Sequence, residues 1–147
     1  MDKFDLITLM RTSRPRQWNT WRSEHTDVGL DLSGQDLSGA HFGEFDLSYI
    51  NFNGTDLSGA DINHGSLNSA QLVGANLRGA NLAGADLGGT DCRNACLAEC
   101  DMRGADLSHT NLEDADLSDA DLMGAYLEET NISPAQLAKA RPRFDNL

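Results

Sequence analysis

Residues 75–86 read ANLRGANLAGAD, and a large apolar residue returns at the fifth position, at Leu77 and again at Leu82. The phase holds in both directions. From Leu32 to Leu137 every fifth residue is apolar, and all of these centres are leucine except Phe42, Phe52, Ile62, Cys92, Met102 and Ile132. A period of five fits neither common element. Five residues advance an α-helix by roughly 500°, which scatters the leucines around the cylinder, and an odd spacing in a strand sends successive ones to opposite faces. A chain that turns a corner after each five residues, always in the same sense, returns every centre to one axis. The sequence therefore predicts a solenoid.

The six exceptions fix the number of sides. All of them fall in alternate units, in the series that begins 32, 42, 52, while the other series is leucine throughout. A triangular coil would mix the two series on every side, whereas an even number keeps them apart, and four is the smallest even number that encloses a core. Each coil then uses about twenty residues, within the range of stacked repeats. The residue two before each centre shares the interior, and from Ala70 to Ala135 it is always alanine, threonine or cysteine. Backbones stacked about 4.8 Å apart leave room for one large side chain per side, so its neighbour must be small. Leu30, Gln35, Phe45 and Ile50 break that rule. They mark a wider end, covered by another element.

The unit Ala, Asp or Asn, Leu, any residue, Gly, as in Ala75-Asn76-Leu77-Arg78-Gly79, resembles the motif of the pentapeptide-repeat family. The resemblance spans twenty-two units from Leu30 to about Lys139. It implies an all-β solenoid, the family's right-handed quadrilateral β-helix. With about 5.5 coils the rod would be on the order of 26 Å long. The organisation expected is an N-terminal helical cap over 1–29, a repeat β-helix over 30–132, and a C-terminal cap and tail over 133–147.

The ends of such a stack expose unpaired backbone groups and call for covers. At the N-terminus, MDKFDLITLM reads as a short amphipathic helix carrying Phe4, Ile7, Leu9 and Met10. A second helix follows, with Ser13 as N-cap, Pro15 early, and Trp18 and Trp21 sharing one face as packing residues. The run Trp18 to Arg22 leading into Leu30-Asp31-Leu32 is similar to an N-terminal cap found on many bacterial family members. At the other end Ser133, Pro134 and Gln136 resemble a capping box, which favours a short helix over a last half coil. Phe144 and Leu147 are expected to fold over the final coil. A capped monomer is favoured, and a bare C-terminal end would let two rods meet there as a dimer.

Charge is unevenly placed. The chain carries a net charge of −12, yet residues 30–139 alone hold eighteen Asp and Glu against Arg78, Arg93, Arg103 and Lys139. The shaft is acidic and its ends are not. A bare phosphate backbone is a poor partner for it; a basic protein, or one that grips nucleic acid, suits it better. No membrane partner is indicated, since no apolar run reaches the length of a span and the first ten residues are too polar for a signal peptide. With three cysteines and no disulfide framework, the compartment expected is the cytoplasm.

No chemistry beyond charge emerges. Cys92, Cys96 and Cys100 lie four apart, a metal-binding spacing on a helix. In the five-residue frame they separate: Cys92 is a centre, Cys100 a small interior residue, and Cys96 points outward. His25, His41, His64 and His109 form no recognisable catalytic set, and glycines such as Gly74, Gly79, Gly84 and Gly104 recur at corners, where positive φ is useful. Neither an enzyme, a cofactor nor a metal is expected.

Eleven aspartates immediately precede a centre, and a twenty-residue coil stacks Asp36 under Asp56, Asp86 under Asp106 and Asp101 under Asp121. One reading makes them turn-binding, solubilising residues. The other makes them an imitation of a phosphate surface. The candidate interaction surface is Asp61, Asp86, Asp101, Asp106, Glu113, Asp114, Asp116, Asp119, Asp121, Glu128 and Glu129, which circles the rod. The function expected is a non-enzymatic acidic scaffold for an unidentified protein partner. The resemblance implies an alternative: a DNA mimic that binds a DNA-handling enzyme such as DNA gyrase, as members that protect gyrase from quinolones or toxins do.

Overall fold

Each pentapeptide closes on a turn in which the carbonyl of the central residue accepts the N–H three residues on, as Leu72 does from Ala75 at 3.0 Å. The computed structural model describes residues 1–141. The residue two after each centre has positive φ at every corner from Gly34 to Glu129. A single positive φ at the second corner residue is the mark of a type II turn. Between turns, the residue before each centre pairs in parallel with the residue twenty positions on, which makes the coil twenty residues long. Four ladders result. The first side runs Asp31, Asn51, Gln71, Asp91, Asn111, and the second Asp36, Asp56, Asn76, Cys96, Asp116. The third side runs His41, Asp61, Asn81, Asp101, Asp121, Arg141, and the fourth Asp46, Ser66, Asp86, Asp106, Tyr126. The non-leucine centres sort onto the first and third sides, as the alternation requires.

Only ten of the twenty corners are glycine; Glu44, Tyr49, His64, Ser69, Asn94, Glu99, His109, Asp114, Asp119 and Glu129 hold the others with φ from 53° to 63°. The left-handed region costs an L-residue roughly 1–2 kcal/mol, part of which glycine returns through its floppier unfolded chain. Tyr49→Gly is therefore expected to raise the unfolding free energy by about 0.5–1 kcal/mol, the side chain being 72% exposed and losing little packing. Gly74→Ala should lower it by a similar amount through φ alone, since an added Cβ meets nothing within 4 Å. Gly84→Ala should lower it further, because the imidazole of His64 occupies the space that Cβ would take. Urea titration of the three variants checks the order.

The interior is largely apolar. The centres from Leu32 to Leu117 are fully or almost fully buried, with Ala70, Ala75, Ala80 and their successors beside them. Three of the four threonines at the small position satisfy their hydroxyls on the coil below: Thr55 donates to Leu32 O at 2.8 Å, Thr90 to Leu67 O and Thr110 to Leu87 O, whereas the buried Thr130 hydroxyl has no partner among the described residues. Cys92 and Cys100 are buried, and burial pushes both thiols up to about 12, while Cys96 is half-buried on the second side.

Two helices cover the lower end: α1 (Lys3–Thr12) and α2 (Pro15–Glu24). In α1 the buried pair is Leu6 and Met10, four apart, and Phe4 is 77% exposed. This corrects the expectation that Phe4 faces the stack, since Phe4 precedes Leu6 by two residues and so lies on another helix face. Ser13 likewise ends α1 as its C-cap, and Arg14 is the N-cap of α2, because Pro15 takes the first helical position. Trp18 is fully buried, stacked on Trp21 at 5.3 Å and on Phe45 at 5.8 Å. The wide interior residue Phe45 is thus the seat of the cap.

The cap side chains also satisfy the open lower edge. Trp18 Nε1 donates to Asp46 O at 2.8 Å, Asn19 Nδ2 to Glu44 O at 2.9 Å, and Arg22 to Ser48 O at 2.6 Å, while Asn19 Oδ1 accepts from Asp46 N at 2.7 Å. Lys3 and Arg11 reach Ser33 O and Asp36 O in the same way. At the upper end, helix α3 (Pro134–Lys139) replaces the final pentapeptides of the first two sides. Its capping box is closed by Ser133 and Gln136, and the Gln136 amide donates to the carbonyls of Leu112 and Ala115. Despite the helix, Arg141 returns in register opposite Asp121. Phe144 and Leu147 lie outside the described residues.

Candidate interaction surface

The position before each centre is built for a short acceptor. Its side chain takes the N–H two residues on, as in Asp86 to Gly88 at 2.8 Å, Asp106 to Ser108 at 2.9 Å, Asp116 to Ser118 at 2.9 Å, Asp121 to Met123 at 3.0 Å and Asp61 to Asn63 at 3.1 Å. Asparagines 51, 76, 81 and 111 make the same bond. This is the Asx turn, and it explains why Asp and Asn dominate a position that serine fills at residue 66. Aspartate there has a local structural use whatever else it does.

Side-chain hydrogen bonds depress several carboxyls. Hydroxyls of Ser33, Ser38, Ser108 and Ser118 hold Asp31, Asp36, Asp106 and Asp116 below the ordinary carboxylate value, and the guanidiniums of Arg93 and Arg103 do so for Asp91 and Asp101. A carboxyl whose pKa falls on folding contributes stability that is complete above its unfolded value and lost as pH drops through its folded value. The melting temperature should therefore be level near neutrality and fall below about pH 4. Circular dichroism melts between neutral pH and pH 3 check it. A rise on acidification would mean that repulsion within the stacked pairs Asp36/Asp56, Asp86/Asp106 and Asp101/Asp121 outweighs the turn bonds. The third pair is already bridged: Arg103 lies 2.7 Å from Asp101 and 4.0 Å from Asp121.

Coil by coil, the candidate carboxylates fall on different sides. Glu113 and Asp114 belong to the first side and, with Asp116, line a groove of about 520 Å³ beside α3 that Lys139 also borders. Asp116 and Asp119 stand on the second side, where Arg141 approaches Asp119 at 3.5 Å. Asp61, Asp101 and Asp121 stand on the third. Asp86, Asp106, Glu128 and Glu129 gather on the fourth, Glu129 3.1 Å from His109 Nδ1.

The sides are not equivalent in charge. The first carries Arg93, the second Arg78 and Lys139, and the third Arg103 and Arg141; Arg78 pairs with Glu99 at 2.8 Å and Arg93 with Asp91 at 2.7 Å. Among the described residues the fourth side holds Asp46, Asp86, Asp106, Glu128 and Glu129 with no lysine or arginine of its own. Arg22 lies under its lower edge, only 8% exposed. The same side bears Tyr49 and Tyr126, 72% and 65% exposed, near its two ends. Asp46, whose carboxylate accepts from both the backbone and the hydroxyl of Ser48, completes this face and is missing from the candidate residues chosen by sequence. Sorting the charges by position modulo twenty finds it.

A family model for pentapeptide repeats matches in eight copies, over residues 36–70, 66–104 and 100–141. The chain is a pentapeptide-repeat protein. Three solved structures of this family resemble it. One, from the Arabidopsis thaliana thylakoid lumen, is 26% identical with a TM-score of 0.59, over 71% of this chain and 72% of its own. Another, Rfr23 of the cyanobacterium Cyanothece 51142, is 26% identical with a TM-score of 0.65, over 80% and 92%. A third, alr5209 of Nostoc PCC 7120, is 28% identical with a TM-score of 0.55, over 82% and 91%. No curated protein matches. Among the described residues of this pentapeptide-repeat protein, no group of three His, Cys, Asp or Glu is arranged to hold a metal ion, and no helix is long and apolar enough to cross a membrane.

Proposed function

We propose that this pentapeptide-repeat protein is a non-enzymatic scaffold that binds a protein with an arginine- or lysine-rich surface, and that the fourth side is the contact face. The observation that carries this reading is the sorting of charge: three sides mix acids with Arg or Lys, and the fourth presents carboxylates and two exposed tyrosines. Complementary charge steers encounter, and exposed aromatics supply the contact area that interfaces favour. Asp→Asn changes isolate the charge, because asparagine keeps the turn bond, as residues 51, 76, 81 and 111 do. Proteins retained from a host extract by the wild type should be lost with Asp86→Asn/Asp106→Asn/Glu128→Gln and kept by the second-side control Asp36→Asn/Asp56→Asn. Equal retention by both variants would remove the fourth side from the proposal.

A narrower version follows from the same face. A surface without cations is the one a DNA-handling enzyme such as DNA gyrase would accept in place of duplex phosphates. A supercoiling and quinolone-protection assay tests it, and absence of any effect at micromolar protein eliminates the mimic.

A further inference from the structure

Residues 131–140 are written in the repeat but folded as a cap. Ile132 and Leu137 stand at centre positions, Ala135 and Ala140 at small ones, and Asn131 and Gln136 where Asn111 and Gln71 sit lower in the rod. Ser133 and Ala138 match Ser118 and Ala98, and Lys139 falls on a corner, a place that Glu99 and Glu129 also hold. The exception is Pro134. It occupies the corner after Glu129, and all twenty corners from Gly34 to Glu129 have positive φ. The pyrrolidine ring locks φ at about −65°, so the type II turn cannot close there. The missing N–H is no obstacle, because a corner N–H donates to the coil above, as Gly104 N does to Met123 O, and a last coil does not require it. The dihedral alone forbids the corner.

The ladder shows where the chain leaves it. Among the described residues no bridge joins Asn111 to Asn131. The Asn131 amide stands in for its backbone: Leu112 N donates to Asn131 Oδ1 at 2.6 Å, and Asn131 Nδ2 to Asn111 Oδ1 at 2.7 Å. One residue earlier, the Thr130 hydroxyl is left without a partner. The N–H groups of Asp114 and Leu117 also find none among the described residues, although one coil below Asn94 N donates to Glu113 O and Leu97 N to Asp116 O. Both residues line the 520 Å³ groove beside α3, which therefore marks the missing ladder steps. Chain length does not prevent those steps. Asp121 faces Arg141 in register, so residues 131–140 span the same two points whether they contain α3 or form two pentapeptides.

We propose that residues 131–140 are a two-state segment, helical cap or half coil, and that Pro134 selects the cap and so sets the length of the rod. The residue that blocks the turn also starts the helix, since proline suits the first position of α3 and Ser133 and Gln136 close the capping box around it. In the half coil, the register of the coil below brings Asp114 N to Ser133 O and Leu117 N to Gln136 O. The Thr130 hydroxyl then reaches Leu107 O, as Thr110 reaches Leu87 O.

Amide hydrogen exchange by NMR in the full chain tests this. Ser133→Ala/Pro134→Gly removes the cap and admits positive φ at residue 134. In that variant the amides of Asp114 and Leu117 should exchange on the order of tenfold more slowly than in the wild type, and the carbon shifts of residues 135–139 should lose their helical values. Ser133→Ala/Pro134→Ala differs only at residue 134, where alanine disfavours positive φ and occupies no other corner of the rod; it should not slow either amide. Leu97 N–H, bonded to Asp116 O at 2.7 Å, reports that each variant is folded. Unchanged exchange of Asp114 and Leu117 in the glycine variant overturns the proposal, whether residues 135–139 stay helical or melt. Equal slowing in both variants overturns it too, because the dihedral at residue 134 would then not be the selector.

Discussion

Trp18→Ala should lower the unfolding free energy by about 3–5 kcal/mol, the range for deleting a buried aromatic. The indole is fully buried between Trp21 and Phe45, and its Nε1 is the donor to Asp46 O. Truncation therefore opens a cavity at the seat of the cap and leaves a part-buried carbonyl unpaired. It also loosens Asn19, the next residue along, which holds both Glu44 O and Asp46 N. Trp18→Phe separates the two contributions. It keeps most of the stacking and loses the donor, so it should cost about 1–3 kcal/mol, the penalty of an unsatisfied buried group. The loss should be local, because each coil touches only its neighbours. Amides that tie the first coil to the second, such as Asn51 N to Leu30 O, should exchange sooner than those higher in the rod, such as Asp91 N to Ala70 O. Uniform acceleration along the stack would show that α2 supports the whole rod and not its base alone.

How far the sequence discloses this molecule depends on whether a feature repeats. The centres repeat, so the five-residue corner, the four sides and the twenty-residue coil are all legible before any coordinates, and Asp121 to Arg141 keeps that register even across α3. The corners repeat in conformation but not in composition. Positive φ at Glu99 is imposed by the ladder above and below, and no local preference of that residue announces it. Cap contacts do not repeat at all. That Trp18, Asn19 and Arg22 find the carbonyls of 46, 44 and 48 depends on how α2 lies across the first coil. The acidic surface falls between these cases. Its carboxylates are visible in the sequence, and so is their wrapping around the rod, but the cation-free side emerges only when Arg78, Arg93, Arg103 and Arg141 are placed on their own sides.

A leucine in the middle of the stack should matter more than the same leucine at its end. Leu77 is fully buried on the second side, with Leu57 below and Leu97 above, and its backbone is fixed in both directions: Leu77 N donates to Cys96 O at 2.8 Å and Asn76 N to Thr55 O at 2.9 Å. A wall held by two ladders moves little to fill a void, so Leu77→Ala should fall high in the range of about 2–5 kcal/mol for such deletions. Leu127, by contrast, is only partly buried, and its N–H has no partner among the described residues. Leu127→Ala should cost less than half as much. Position also changes cooperativity. Removing Leu77 weakens the one interface that joins the lower coils to the upper ones, and in a nearest-neighbour stack that lets the halves melt apart. The Leu77→Ala transition should broaden and its denaturant slope fall, while Leu127→Ala shifts the midpoint and leaves the slope unchanged. Equal losses at the two sites, with equal slopes, would mean that the core yields as a whole and is not built coil upon coil.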